Sequence, residues 1–181
     1  IIVAGNSKRS VVSTASYEAR QFGIHSAMPV FQAKQRCPKV IVVPGDRHKY
    51  AAESKKIMNI ISGFSPLVEQ VSIDEAYADI RGCEKLFGPP EAMAITIKAA
   101  IFKELSLTCS IGIAPVKFLA KIASDLDKPR GFSVIGKGDT AAFLKGKPVR
   151  MIWGVGAAGQ QSLEAAGIRT FDDLARWDRK D

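Results

Sequence analysis

Histidine and cysteine are scarce in this chain of 181 residues. There are two histidines, His25 and His48, and three cysteines, Cys37, Cys83 and Cys109. The cysteines are odd in number and widely spaced, with no Cys-x-x-Cys pair. That argues against a disulfide framework and, with so few histidines, against a structural zinc site. It suits a reducing cytoplasm. No apolar run reaches transmembrane length and no signal peptide precedes the first element, so no membrane-spanning segment is expected. An initiating Met is also lacking. Ile1-Ile2-Val3-Ala4 reads as a β-strand already under way, and Arg176-Trp177-Asp178-Arg179-Lys180-Asp181 falls just after a short helical pattern. The expectation is a piece of something longer, open at both ends.

What is present is apolar material and positive charge. Hydrophobic residues make up 46%, enough for a real core rather than a disordered chain. Lys plus Arg number 26 against 18 acidic residues, for a formal charge of +8. That excess favours a polyanionic partner, nucleic acid or an anionic membrane surface. The plainer alternative is a basic protein whose charges only keep it soluble.

Against that basic background one acidic pair stands out. Asp74 and Glu75 are adjacent in Val71-Ser72-Ile73-Asp74-Glu75-Ala76-Tyr77-Ala78-Asp79-Ile80, which otherwise reads as β-structure with apolar flanks. Burying like charges side by side is costly, since each raises the pKa of the other. A divalent cation is the usual neutraliser. Neighbouring side chains of a regular strand point to opposite faces, so the two acids share a site only if the strand bends there. The reading is strand, tight corner carrying Asp-Glu, strand.

Taken in order, the chain gives an opening strand and the polar turn Gly5-Asn6-Ser7-Lys8-Arg9-Ser10. Residues 13–23 then read as strand end, cap and helix, with Ser16 or Thr14 as N-cap and Gly23 as the stop. Tyr17 and Arg20, three apart, share a face near the N-terminus of that helix. Hydroxyls, an aromatic ring, a guanidinium and helical N–H groups converging there suit a phosphate chain. Alternatively Tyr17 packs and Arg20 pairs with Glu18 or Glu53. Met28-Pro29 opens a helix through Arg36, Val40 to Val43 is a strand, and Asp46 precedes a helix from about Arg47 to Gly63 with Ile57, Ile60, Ile61 and Phe64 as its core stripe. After the acidic hairpin come a helix from Glu91 to Leu105, a strand from Leu107 to Ala114 and a helix from Pro115 to Leu126. Val116, Phe118, Leu119, Ile122, Ala123 and Leu126 face inward on this last helix, and Lys117, Lys121 and Asp125 form its outer face. Lys128 follows in a turn, either solvent-exposed or reaching the same phosphates as Arg20. Phe132 to Ile135 is another strand, Thr140 to Leu144 a short helix, Ala157 to Ala166 a helix, and Thr170-Phe171-Asp172-Asp173 a cap with an acid at the third helical position. The whole suggests an α+β fold, an antiparallel sheet with helices on one face. Gly154-Val155-Gly156 is either a tight turn between packed helices or a backbone grip on phosphate.

Five motifs then line up in one order. Ser16-Tyr17-Glu18-Ala19-Arg20 with Phe22-Gly23, followed by Ala27-Met28-Pro29, resembles the fingers motif of Y-family DNA polymerases. Val71 to Tyr77 resembles their palm carboxylate motif. Ser110-Ile111-Gly112-Ile113-Ala114, Lys121-Ile122-Ala123-Ser124-Asp125 and Lys128-Pro129 with Gly131 resemble the next palm strand, helix and lysine turn. Ile152-Trp153-Gly154-Val155-Gly156 with Gly167-Ile168-Arg169-Thr170 resembles the thumb's helix-hairpin-helix, and the set is most similar to the bacterial DNA polymerase IV branch.

The resemblance implies fingers at residues 1–45, an α+β palm at 46–135 and a partial all-α thumb at 136–181. It implies templated nucleotidyl transfer in translesion synthesis and DNA repair, by a bacterial cytoplasmic monomer. Asp74 and Glu75 become catalytic acids and metal ligands for two Mg2+ ions. Ser13, Thr14, Tyr17, Arg20 and Lys128 fall where the family holds the incoming triphosphate, and Gly154, Val155 and Gly156 where it holds DNA. Primer–template DNA and deoxynucleoside triphosphates are the implied partners, with a sliding-clamp contact at a terminus outside these residues. There are departures. The family's first metal-binding Asp and its ribonucleotide-excluding aromatic would precede Ile1, the little finger would follow Asp181, and Ser10 stands where many members have Gly. The 181 residues alone are therefore expected to be inactive or nearly so. Two other classes compete: a non-catalytic DNA-binding module, which leaves the acidic corner unexplained, and a palm-type nucleotide cyclase, which leaves the Gly-x-Gly element unexplained.

Overall fold

In the computed structural model, residues 1–7 and 9–177 are described. Lys8, in the polar turn at 5–10, and residues 178–181 at the end lie outside the described residues. The chain divides into two compact units, Ile1–Glu53 and Ser54–Asp181.

The first unit is built on a three-stranded sheet. β1 (Ile2–Ala4) pairs antiparallel with β2 (Val12–Ala15) and parallel with β3 (Val42–Val43). The register shifts between Val3, which faces Thr14, and Ala4, which faces Val12, leaving Ser13 as an extra residue. This bulge breaks the period of two, so Ser13 and Thr14 are both exposed while Val12 and Ala15 on either side are buried. α1 (Tyr17–Arg20) follows, capped by Ser16, whose Oγ accepts from the Ala19 N–H at 3.3 Å. The turn ends at Gly23 with φ +70°. α2 (Val30–Arg36) packs Ala33 onto a core of Ile2, Val12, Ala15, Ala19, Ile24 and Met28. α3 (Arg47–Ser62) begins in this unit, with the Asp46 carboxylate accepting from the Lys49 N–H at 3.0 Å.

In the second unit, β4 (Leu67–Gln70) and β5 (Ala76–Asp79) form the antiparallel hairpin, in register from Leu67 opposite Asp79 to Gln70 opposite Ala76. After α4 (Glu84–Phe87), α5 (Pro90–Leu105) buries Met93, Ile97 and Ile101 against Ile57, Ile60, Ile61 and Phe64, the stripe expected of α3. β6 (Ile111–Ile113) and β7 (Phe132–Val134) are joined by α6 (Lys117–Leu126) and pair in parallel. The α+β class and the antiparallel hairpin stand, but this second pair is parallel because a helix intervenes, which a hairpin connection cannot do. β6 is shorter than the strand expected from Leu107 to Ala114, since β7 offers three residues to pair with. On α6, Leu119, Ile122 and Ala123 are buried as expected, whereas Val116 and Leu126, at its two ends, are 51% and 46% exposed.

β6 and α6 meet at Gly112. A Cβ there would lie 2.2 Å from the Ala120 carbonyl oxygen, 2.3 Å from the Ser124 nitrogen and 2.7 Å from the Ala123 Cβ. Strand and helix touch backbone to backbone. The remainder of the unit is α7 (Thr140–Leu144), a single 3-10 turn at Val149–Met151, α8 (Ala157–Ala165) and α9 (Phe171–Arg176), which buries Phe171 against Leu119 and Ile122 of α6. Thr170 and Asp173 close the expected capping box at the start of α9.

Gly112→Ala should destabilise the fold by about 1–3 kcal/mol, the usual penalty for overpacking a close contact. Urea unfolding checks this, and an unchanged midpoint would show that strand and helix can part at no cost.

Candidate active site

The acidic hairpin turns at residues 71–75. The Val71 and Ser72 N–H groups both donate to the Glu75 carbonyl, at 2.9 and 3.2 Å. Ser72 organises the tip: its hydroxyl donates to Asp74 Oδ1 at 2.7 Å and accepts from the Asp74 N–H at 3.3 Å. Gln70 holds the corner from beneath, with Nε2 donating to the Ser72 carbonyl at 2.9 Å and to Ser54 Oγ at 3.2 Å. The corner therefore bends where the acidic pair required it to. Its setting is wetter than the sequence suggested. Asp74 is exposed, and the flanking Val71 and Ile73 are 41% and 46% exposed. The cost of burying two like charges does not arise for Asp74, because β-propensity marks pairing and not depth.

Glu75 is half-buried, and what neutralises it is Lys121. The ammonium of Lys121 lies 2.9 Å from Glu75 Oε1 and 3.1 Å from Asp125 Oδ2. Asp125 Oδ1 in turn is 2.6 Å from Lys128 Nζ. Lys117, one turn earlier on α6, pairs with Glu69 of β4 and stands 5.8 Å from the centre of the Tyr77 ring of β5. Two residues of the polar row on the outer face of α6, Lys117 and Lys121, thus meet the hairpin, while Asp125 bridges Lys121 and Lys128. The spacing marks their shared face and does not show which partners that face meets.

These pairings move pKa values in opposite senses. Burial opposes the charge on Lys121, but hydrogen bonds to Glu75 and Asp125 outweigh it and raise the ammonium above the ordinary lysine value. Burial likewise opposes ionisation of Asp125, but the hydrogen bonds from Lys128 and Lys121 prevail and lower it below the ordinary carboxylate value. Lys128 opens a turn with a cis Lys128–Pro129 bond, anchored by Lys98, whose Nζ donates to the Arg130 and Gly131 carbonyls at 2.7 and 3.0 Å.

The first unit groups Ser13, Thr14, Tyr17 and Arg20 around the end of β2. Arg20 Nε donates to the Ala15 carbonyl at 3.0 Å, and its guanidinium carbon is 5.7 Å from the Tyr17 ring centre. Tyr17 is half exposed, so the pair forms a stacked, solvent-facing aromatic and cation. At the other end of the chain, Gly154 takes φ +91°, which favours glycine, and Gly156 is the N-cap of α8 with no side chain capping it. The helix expected before this Gly-x-Gly is only the 3-10 turn at Val149–Met151. Among the described residues no group of three or more His, Cys, Asp or Glu could hold a metal ion, and no helix is long and apolar enough to cross a membrane.

Small sheets, a carboxylate corner and a helix crossing between parallel strands define a fold already seen in Y-family polymerases. The insertion ternary complex of Dbh DNA polymerase superposes with a TM-score of 0.88 at 34% identity, covering 98% of this chain and 53% of that one. DinB from Sulfolobus solfataricus gives 0.87 at 35% identity, covering 98% and 52%. The chain belongs to the impB/mucB/samB family, whose model matches residues 1–125. It is 48% identical to DNA polymerase IV 1 of Mesorhizobium japonicum over 99% of this chain and 41% of that protein. It is 45% identical to DNA polymerase IV of Treponema denticola, over 96% and 44%. The chain thus spans less than half the length of these curated relatives.

Because Asp125 ionises more readily in the folded state, its contribution to stability is complete above the ordinary carboxylate value of 3.8 and fades as the pH falls below it. Stability of the unaltered chain should therefore drop more steeply than that of Asp125→Asn as the pH falls below about 4, the two converging once the folded-state carboxyl is protonated as well. Urea midpoints across that range check this, and parallel curves would contradict it.

Proposed function

We propose that these residues are the fingers, the palm and the start of the thumb of a DNA-directed DNA polymerase that carries out templated nucleotidyl transfer in translesion synthesis. The observation that carries the reading is the pair Asp74 and Glu75 at an exposed hairpin corner, within a fold matched at a TM-score of 0.88 to a polymerase ternary complex.

The corner suits a hard divalent cation. Carboxylate oxygens favour Mg2+ over softer metals, and Mg2+ is ordinarily held by one or two carboxylates together with substrate phosphates. Asp74 is exposed and its carboxylate accepts a hydrogen bond from Ser72, which orients it. Asp74 and Glu75 would hold the ions, in a two-metal arrangement, with nucleotide phosphates as further ligands. When bound, such ions stabilise charge on the phosphoryl oxygens and acidify the attacking hydroxyl. Ser13 and Thr14 offer hydroxyls, and Tyr17 and Arg20 a stacked phenol and guanidinium, to the triphosphate of the incoming nucleotide. Lys128 offers it an ammonium. Gly154, Val155 and Gly156 lead into α8, whose first-turn N–H groups would face a phosphate of the primer–template duplex, while the Val155 and Gly156 N–H groups hold the turn by donating to the Ile152 and Gly154 carbonyls at 3.0 and 3.1 Å.

The test is primer extension by the full-length protein. Asp74→Ala should lower nucleotide incorporation by more than about 100-fold, the scale set by losses at metal sites, with the circular dichroism spectrum unchanged. Retained turnover would remove Asp74 from the site. In the same assay the 181-residue polypeptide alone should give no measurable extension, since no third acid joins the corner among the described residues. Templated extension by it would overturn that part of the proposal.

A further inference from the structure

A chain of alternating charge that no role so far explains runs from the hairpin corner across α6 to the turn after it: Glu75, Lys121, Asp125, Lys128. Its two ends are the residues proposed to meet the cation and the triphosphate. Its centre is Lys121, whose side chain is 16% exposed against 48% for Lys128. A lysine that far from water serves some purpose other than solubility. Its stem rises from a helix that cannot shift easily, with Leu119, Ile122 and Ala123 buried and β6 pressed against it at Gly112.

We propose that Lys121 is a positioning residue for both ends of this chain, an inference that rests on the polymerase reading. On one side it fixes the Glu75 carboxylate by taking Oε1 and leaving the other oxygen to a cation. On the other it shares Asp125 with Lys128. A carboxylate divided between two ammonium groups neutralises neither, so Lys128 keeps charge to give to a phosphate. Without Lys121, Asp125 would belong to Lys128 alone and hold it back.

Steady-state nucleotide incorporation by the full-length protein tests this, with kcat and KM measured separately. Lys121→Met should lower kcat about 10- to 100-fold, as loss of a group orienting a metal ligand does, and raise the nucleotide KM several-fold. Lys121→Gln, which keeps a hydrogen-bond donor and so protects the fold, should show the same pair of changes. Lys121→Arg should restore both constants to within about threefold, since a guanidinium can bridge two carboxylates. Adding Asp125→Asn to Lys121→Met should return KM toward the parent value while kcat stays low, a split that general damage to the helix would not produce. Values for Lys121→Gln within about twofold of the parent, no rescue by Arg, or a KM that stays high in the double variant would each overturn the role. If the unaltered protein extends no primer, the polymerase reading fails first and takes this inference with it. If it does extend and the Lys121 variants match it, the positioning role alone fails.

Discussion

The ammonium of Lys121 between the carboxylates of Glu75 and Asp125 joins a hairpin corner to a helix that lies far from it in sequence. The corner is an exposed turn held by Ser72 and Gln70, and the Lys128 turn is anchored from behind by Lys98. What gives the two a common frame is α6. Its apolar side is fixed by Leu119 and Ile122 against Phe171 and by the backbone contact at Gly112. Its polar side delivers Lys117 and Lys121 to the hairpin at helical spacing. A rigid helix carrying one row of charges positions them more closely than loops could.

In the first unit a local irregularity does comparable work. The bulge at Ser13 turns two consecutive hydroxyls outward at the end of β2, and the Ser16 cap starts α1 directly behind them. Arg20 then folds back to the Ala15 carbonyl and lies beside Tyr17. Hydroxyls, aromatic ring and guanidinium are thereby gathered within eight residues of chain, Ser13 to Arg20, against the partner strand β1.

Much of this was legible in the sequence because it is local. The capping box at Thr170 and Asp173, the stop at Gly23, the short helix Thr140–Leu144 and the apolar stripe of α3 all follow from spacing and caps. The bend at Asp74 and Glu75 followed from two like charges in a β-rich stretch. What was not legible depends on partners distant in sequence. Spacing shows that Lys117, Lys121 and Asp125 share a face, but not that its two lysines pair with Glu69 and Glu75 of the hairpin. The parallel pairing of β6 with β7, and the brevity of β6, are set by the partner strand. The exposure of Asp74 contradicts the burial that first drew notice to the pair, so its case rests on geometry and kinship instead of on desolvation.

Where a cation sits is the most direct question to put to this site. Anomalous scattering from crystals of the full-length protein with primer–template DNA, a non-hydrolysable nucleotide and Mn2+ answers it. The expected result is a Mn2+ peak within bonding distance of the Asp74 and Glu75 carboxylates, with Lys121 still on Glu75 and Lys128 on the nucleotide's phosphates. A Mn2+ peak away from Asp74, or none at all with nucleotide bound, would contradict it.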